Sequence, residues 1–408
     1  MKKQSKKSFL FLLLIVPFIL NAQVWEYKDS GTDFILLDLS IPPGQDQIAY
    51  AAGSQYTVDS EGIIIKTVDG GETWETIYPL SGTVHSFTRI EFVSPLKGFV
   101  VGWGNTFMMT EDGGATWVDI AAGTDIYYYS GLNFYDENNG FAMGLNLSNG
   151  LDSYITNDGG ITWNPGTNTT NMAEFASAYA DENTLFTVGK DQVISKSEDG
   201  GENWSVINTG IQGFYNFEVY FKDLNNGIVS TEDGTLLTTH DSGLTWDSSS
   251  TGYHNFYGLN YVGDQLFAAG TDEDVFQSFN NGNTWNLIFS GPPIATFYAI
   301  EFFSNGDALI CGSQGTMLKA SALILNTNTV ENSSLTIFYR SSIKELIVNS
   351  DRVFSSYLIY SLDGKLINEQ KVTSNNTLKI DVSHLSNGNY MVVLNSDNNR
   401  RTAKFVKY

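Results

Sequence analysis

The chain has 408 residues, a formal net charge of −23 at pH 7, 16% charged side chains and one cysteine, Cys311. Residues 23–330 carry 8 basic and 38 acidic side chains, a net of −30, whereas residues 331–408 carry 10 basic and 7 acidic ones. So negative a field disfavours nucleic acid as a partner, and a lone cysteine excludes an intrachain disulfide, so packing and topology must hold the fold.

In chain order, the first signal is MKKQSKKSFLFLLLIVPFILNA. Four lysines precede an apolar run from Phe9 to Leu20 that contains Pro17. A basic segment, a short apolar core and a small residue describe a secretory signal peptide over 1–22, cut after Ala22. The run is short for a membrane span.

An eight-residue pattern then returns six times: TVDGGETW at 67–74, TEDGGATW at 110–117, TNDGGITW at 156–163, SEDGGENW at 197–204, THDSGLTW at 239–246 and SFNNGNTW at 278–285. Its tryptophans, Trp74, Trp117, Trp163, Trp204, Trp246 and Trp285, are 39 to 46 residues apart. Such a period belongs to solenoids, propellers and arrays. Each unit reads as four short strands, as in TRIEFV, GFVVGW, NTFMMTE and TWVDI, which is the arithmetic of a propeller blade. After Trp285 only three strands follow, FYAIEFF, ALICGS and GTMLKAS. The segment VWEYKDSG at 24–31 matches the fourth strand of the first unit, with Trp25 as a seventh repeat tryptophan. The expected fold is all-β: a seven-bladed propeller over 23–321, its ring closed by the N-terminal strand so that no long edge stays open.

The motif falls between the third and fourth strands of each unit. Its glycines suit a tight turn, and Asp69, Asp112, Asp158, Asp199 and Asp241 can accept hydrogen bonds from nearby N–H groups. Its Trp supplies apolar area at the base of the outer strand. A residue repeated in every unit does not read as the unique acid of one active site. Calcium-loop spacing from Asp69 fails too, because Gly71, Thr73 and Leu80 occupy the ligand positions. The motif therefore reads as a structural clip.

Residues 322–334 read as a polar linker. Beyond it, over 335–408, runs such as LTIFYR, ELIVNS, SYLIYSLDG and GNYMVVLNS predict a small Ig-like β-sandwich.

The pattern S/T-x-D-G-G-x-T-W resembles the Asp-box, or BNR, repeat. With FYDENNGFAMG and YFKDLNNGIVS ahead of the boxes, residues 25–321 resemble the seven-bladed photosystem II stability/assembly-factor type of propeller. YLIYSLDGKLINEQ, IDVSHLSNGNYMVVL and the terminal TAKFVKY resemble the type IX secretion system C-terminal sorting domain of Bacteroidetes-like bacteria, although YRSS stands where that family usually has Asn-Pro. The resemblance implies outer-membrane export, with the protein secreted or held at the cell surface and the sorting machinery as a partner.

Asp-boxes also occur in sialidases, whose mechanism, by that resemblance, uses three arginines on the substrate carboxylate. The predicted propeller has one, Arg89, and lysine lacks the planar fork, so a sialidase is excluded. A glycoside hydrolase using two carboxylates stays open as the alternative to a non-catalytic binding scaffold. Aligned innermost strands place Asn133, Ala178, Tyr220, Asn260, Glu301 and Asp38 at the position of Glu91, so Asp38, Glu91 and Glu301 are expected to form an acidic cluster at a central channel. That cluster is a candidate cation or acid–base site, calcium included, or simply a wet acidic lining. Four residues earlier, Phe34, Phe87, Tyr129, Phe256 and Phe297 align, with Glu174 and Asn216 as exceptions. They form a candidate ligand rim, for polysaccharide or a surface protein, on the face opposite the motif turns; packing between blades is the competing reading. The four histidines show no metal spacing, Cys311 reads as a buried small hydrophobe, and no cofactor is implied.

Overall fold

The computed structural model describes residues 25–407 apart from 56–60, 80–85, 121–123, 149, 168–173, 192, 210–214, 253, 322–334, 341–343, 351–353, 362–364, 373–376, 387 and 397–398. The expected signal peptide and linker lie outside the described residues. The chain divides into two compact units, Met1–Leu325 and Asn326–Tyr408. Every described regular element is a strand, apart from 3-10 turns such as Glu232–Gly234, Thr271–Glu273 and Ser313–Gly315.

The first unit repeats one motif, a four-stranded antiparallel meander. Ile35–Ser40, Ala49–Ser54, Gly62–Thr67 and Glu75–Pro79 pair in chain order. The meanders that follow open with the innermost strands Ser86–Phe92, Ile126–Phe134, Glu174–Tyr179, Asn216–Phe221 and Phe256–Val262. The last meander has Phe297–Phe302, Ala308–Gly312 and Met317–Ala320, and its outer strand is Trp25–Lys28, from the other end of the chain. Each innermost strand packs against the next, and Phe297–Phe302 packs against Ile35–Ser40, so the ring of innermost strands closes.

Burial grades along each meander. The second strands, such as AYAAGS and GFVVG, are buried on both faces because neighbouring meanders cover them, hence their continuous apolar or small composition. The fourth strands are mostly open to solvent, as in Val118–Asp119 and Asn164–Pro165. A β-bulge in the innermost strand presses a carbonyl onto a glycine of the second: a Cβ on Gly53 or Gly102 would lie 1.8 or 1.7 Å from the oxygen of Ile35 or Ser86.

The repeated motif is a hydrogen-bonded clip. In its six copies the first Ser or Thr oxygen accepts the N–H of the residue four on at 2.8–3.0 Å. The Asp or Asn two residues on accepts the backbone N–H four residues beyond itself at 2.7–2.9 Å. Side-chain bonds from Thr73, Thr116 and Thr162 hold Asp69, Asp112 and Asp158 at about 2, below the ordinary carboxylate value. The same bonding lowers Asp199 and Asp241. The clip also fastens neighbours: its second glycine, at φ 87° in Gly71 and Gly114, lies against the preceding meander, where an added Cβ would meet Leu309 or Ile77. The six motif tryptophans pack, partly buried, against apolar core clusters, and Trp204, Trp246 and Trp285 donate Nε1–H to the carbonyl three residues back at 3.0–3.2 Å. Trp25 packs on Phe289.

In the second unit, strands Leu335–Arg340, Glu345–Ser350 and Thr377–Asp381 form one sheet. Ser356–Ser361, Leu366–Lys371, Gly388–Ser396 and Asn399–Lys407 form another. Leu346, Ile380, Ile359 and Val392, drawn from both sheets, share one buried core.

Candidate functional site

The innermost strands surround a cavity of about 410 Å³. Because side chains alternate, every second residue of each strand faces it. Strand register orders these residues into two tiers. Taking the glycine-facing bulge as a common origin, Arg89, Gly131, Glu218, Gly258 and Ala299 stand on one tier. Glu91, Asn133, Ala178, Tyr220, Asn260 and Glu301 stand two residues further on.

Asp38 corrects the sequence alignment. Leu36 pairs with Gly53 as Phe87 pairs with Gly102, so Asp38 sits at the level of Arg89, and Ser40 at the level of Glu91. The first innermost strand is entered two residues later than its sequence suggests. The glycine of the second strand was the signal that would have shown this. Asp38, Glu91 and Glu301 do line the same cavity, joined by Glu218, which sequence reasoning missed.

Asp38, Ser40, Glu91 and Glu301 bond the neighbouring strand. Asp38 accepts the Ile90 N–H at 2.9 Å and Ser40 the Phe92 N–H at 2.8 Å. Both Glu91 oxygens accept the Phe134 N–H, at 3.0 and 3.1 Å, and Glu301 accepts Asn260 Nδ2–H at 3.2 Å. Arg89 crosses the cavity to Glu218 at 3.4 Å. Removal from bulk water dominates their ionisation. It pushes Glu91 and Glu301 up to about 8, Glu218 to about 7 and Asp38 to about 6, with Arg89 restraining the last two.

The expected rim needs a second correction. Phe87, Tyr129, Phe256 and Phe297 are fully buried in separate core clusters, and Phe34 packs partly buried against another. Phe87, Tyr129, Phe256 and Phe297 pack between meanders and present no face to a ligand. The aromatic surface instead belongs largely to the next residue along. Phe175, Phe217, Tyr257 and Tyr298 are partly exposed on successive innermost strands. Their rings run in contact with Tyr215: Phe175–Tyr215 5.9 Å, Tyr215–Phe217 6.2 Å, Phe217–Tyr257 5.1 Å and Tyr257–Tyr298 5.5 Å between centroids. Tyr257 and Tyr298 also line the cavity, so the arc runs into its wall. Trp103, 48% exposed, packs on Tyr128 at 4.2 Å where Trp103 and Tyr128 pair and join two meanders into one sheet. At Phe256 and Phe297 the bulge explains the one-residue shift, because the residue opposite the glycine turns inward and its successor outward, whereas the successors Thr88 and Ser130 stay buried. Cys311 is buried, with its Sγ 3.4 Å from the Leu36 carbonyl.

Comparisons with known proteins agree with this architecture. Residues 313–408 match the secretion system C-terminal sorting domain, and residues 154–165 match the BNR/Asp-box repeat. No curated protein matches the chain. Among solved structures the chain is similar to YCF48 bound to D1 peptide, with a TM-score of 0.60 and 20% identity over 73% of this chain and 96% of that one. It is similar to YCF48 from Cyanidioschyzon merolae, with a TM-score of 0.57 and 18% identity over 73% and 98%. It is also similar to the WD40 β-propeller domain of Doa1, with a TM-score of 0.54 and 15% identity over 73% and 97%. These likenesses are of fold. The chain is an Asp-box β-propeller protein with a type IX secretion C-terminal sorting domain, exported to the cell surface or secreted.

Proposed function

We propose that the meanders are the blades of a seven-bladed propeller closed by the N-terminal strand, followed by a 322–334 linker and an Ig-like sorting sandwich over 335–408. The propeller is a non-catalytic binding module that works outside the cell and takes a polysaccharide or a surface protein on the mouth of its channel. The aromatic arc from Phe175 to Tyr298 carries this reading: stacking faces left partly open beside a cavity suit ligand capture. The carboxylates below favour binding over hydrolysis. Asp38, Glu91 and Glu301 each bond the adjacent strand, and Glu218 bonds Arg89.

The test offers the chain from Gln23 onward to a polysaccharide panel and to outer-surface protein extract, following both depletion and release of reducing ends. Capture lost in Phe217→Ala and Tyr257→Ala supports the reading. Release of reducing ends that disappears in Glu91→Gln or Glu301→Gln overturns it in favour of a hydrolase.

A further inference from the structure

We propose that the aromatic mouth and the cavity beneath it receive one cationic side chain, a lysine or arginine presented by an extended polypeptide. This rests on the binding reading above and names its ligand class. Tyr257 and Tyr298 belong both to the arc and to the cavity wall, so a chain lying on the arc delivers a side chain directly into the cavity. Aromatic faces attract cations through their quadrupole. Among the described residues the cavity is lined by the carboxyl groups of Asp38, Glu91, Glu218 and Glu301 against a single cation, Arg89, and an entering cation favours their ionised form. The surrounding residues 23–330 carry 8 basic and 38 acidic side chains, a field that draws cations in and repels acidic glycans.

Arg89 shows how the cavity takes such a group. Its guanidinium reaches across from the second meander to Glu218 of the fifth, on the tier that also holds Asp38. At 3.4 Å that contact is longer than a full charge-assisted bond of about 2.7–2.9 Å. The other bond of Arg89, from Nη1 to the Thr88 carbonyl, is also long at 3.3 Å, so Arg89 is a tethered occupant and an incoming cation competes with it for Glu218. A neutral sugar supplies no charge for these carboxylates, so the cavity favours the cationic peptide.

The experiment is calorimetric titration of the chain from Gln23 onward with capped nonapeptides of Ser and Gly carrying Lys, Arg, norleucine or Glu at the centre. A neutral hexasaccharide forms a separate arm. The Lys and Arg peptides bind, and norleucine binds about tenfold more weakly or less, the worth of one charge-assisted contact. Glu218→Gln and Tyr257→Ala each weaken the Lys peptide about tenfold, while Arg89→Ala tightens it roughly threefold or more by removing the competitor. Melting curves accompany each variant; Asp38→Asn and Tyr298→Ala replace any that fails to fold. Equal binding of norleucine and Lys, or weaker Lys binding in folded Arg89→Ala, overturns the proposal. If the sugar binds through Tyr257 and no peptide does, this inference falls and the binding reading stands. If neither binds nor anything is captured from the surface extract, both fall.

Discussion

Glu72, on the first clip, accepts Lys319 Nζ at 2.7 Å and Lys28 Nζ at 2.8 Å. Lys28 lies on the N-terminal strand and Lys319 on the strand it pairs with, so one carboxylate ties the first meander to the last at the joint where the two ends of the ring meet. The Lys319 side chain is 8% exposed and the Glu72 side chain 51%, which makes this a partly screened ion pair. A double-mutant cycle with Glu72→Gln and Lys319→Met is expected to give a coupling of about 1 kcal/mol, shrinking in 1 M salt. Urea unfolding reads it; zero coupling at low salt would remove Glu72 from the closure.

The clip carboxylates act as acceptors first and charges second. Asn280 fills the same place in the sixth copy and still accepts the Thr284 N–H. Asp69→Asn is therefore expected to be mild, while Asp69→Ala costs about 1 kcal/mol, the worth of a lost cap. Because the folded value of Asp69 lies at about 2, below its ordinary 3.8, its contribution is full above pH 4 and is lost as pH falls towards 2. Acid titration of stability checks this. Equal losses for Asn and Ala would contradict it.

Two glycines with similar backbones are expected to respond differently. Gly114 has φ 87°, and a Cβ there would stand 2.7 Å from Ile77 Cδ1 and 3.4 Å from Tyr50 Cε1. Gly200 has φ 73° and nothing within 4 Å. Gly200→Ala should cost about 1 kcal/mol for the left-handed backbone alone, and Gly114→Ala about 2–4 kcal/mol because overpacking between meanders adds to it. Matched denaturant curves test the pair; equal costs would mean that the clip does not brace the preceding meander.

The cavity carboxylates impose the opposite pH trend to the clips. Burial raises Glu91 to about 8 from an ordinary 4.5, so the native state holds this proton longer than the unfolded chain does. Its contribution is full below pH 4.5, declines as pH rises towards 8 and is flat beyond. Glu91→Gln keeps an oxygen for the Phe134 N–H and removes the titration. The variant should gain melting temperature relative to wild type at pH 8 and gain least at pH 5. A pH-independent difference would show that Glu91 does not titrate in that window.

The sequence by itself determined the all-β class, the repeat and its period, and the structural role of the motif. These depend on local chemistry that recurs: Thr67, Asp69 and Gly71 make the same bonds as Thr110, Asp112 and Gly114. It also brought Asp38, Glu91 and Glu301 to one cavity, because strand alternation places polar positions on the channel side. The partnership of Arg89 with Glu218 and the identity of the open aromatic surface were decided only by tertiary structure. A β-bulge shifts side-chain direction by one residue without changing the composition around it, so Phe87, Tyr129, Phe256 and Phe297 read as a rim but fill the core. Arg89 and Glu218 are 129 residues apart in the chain, and only the curvature of the ring makes them neighbours.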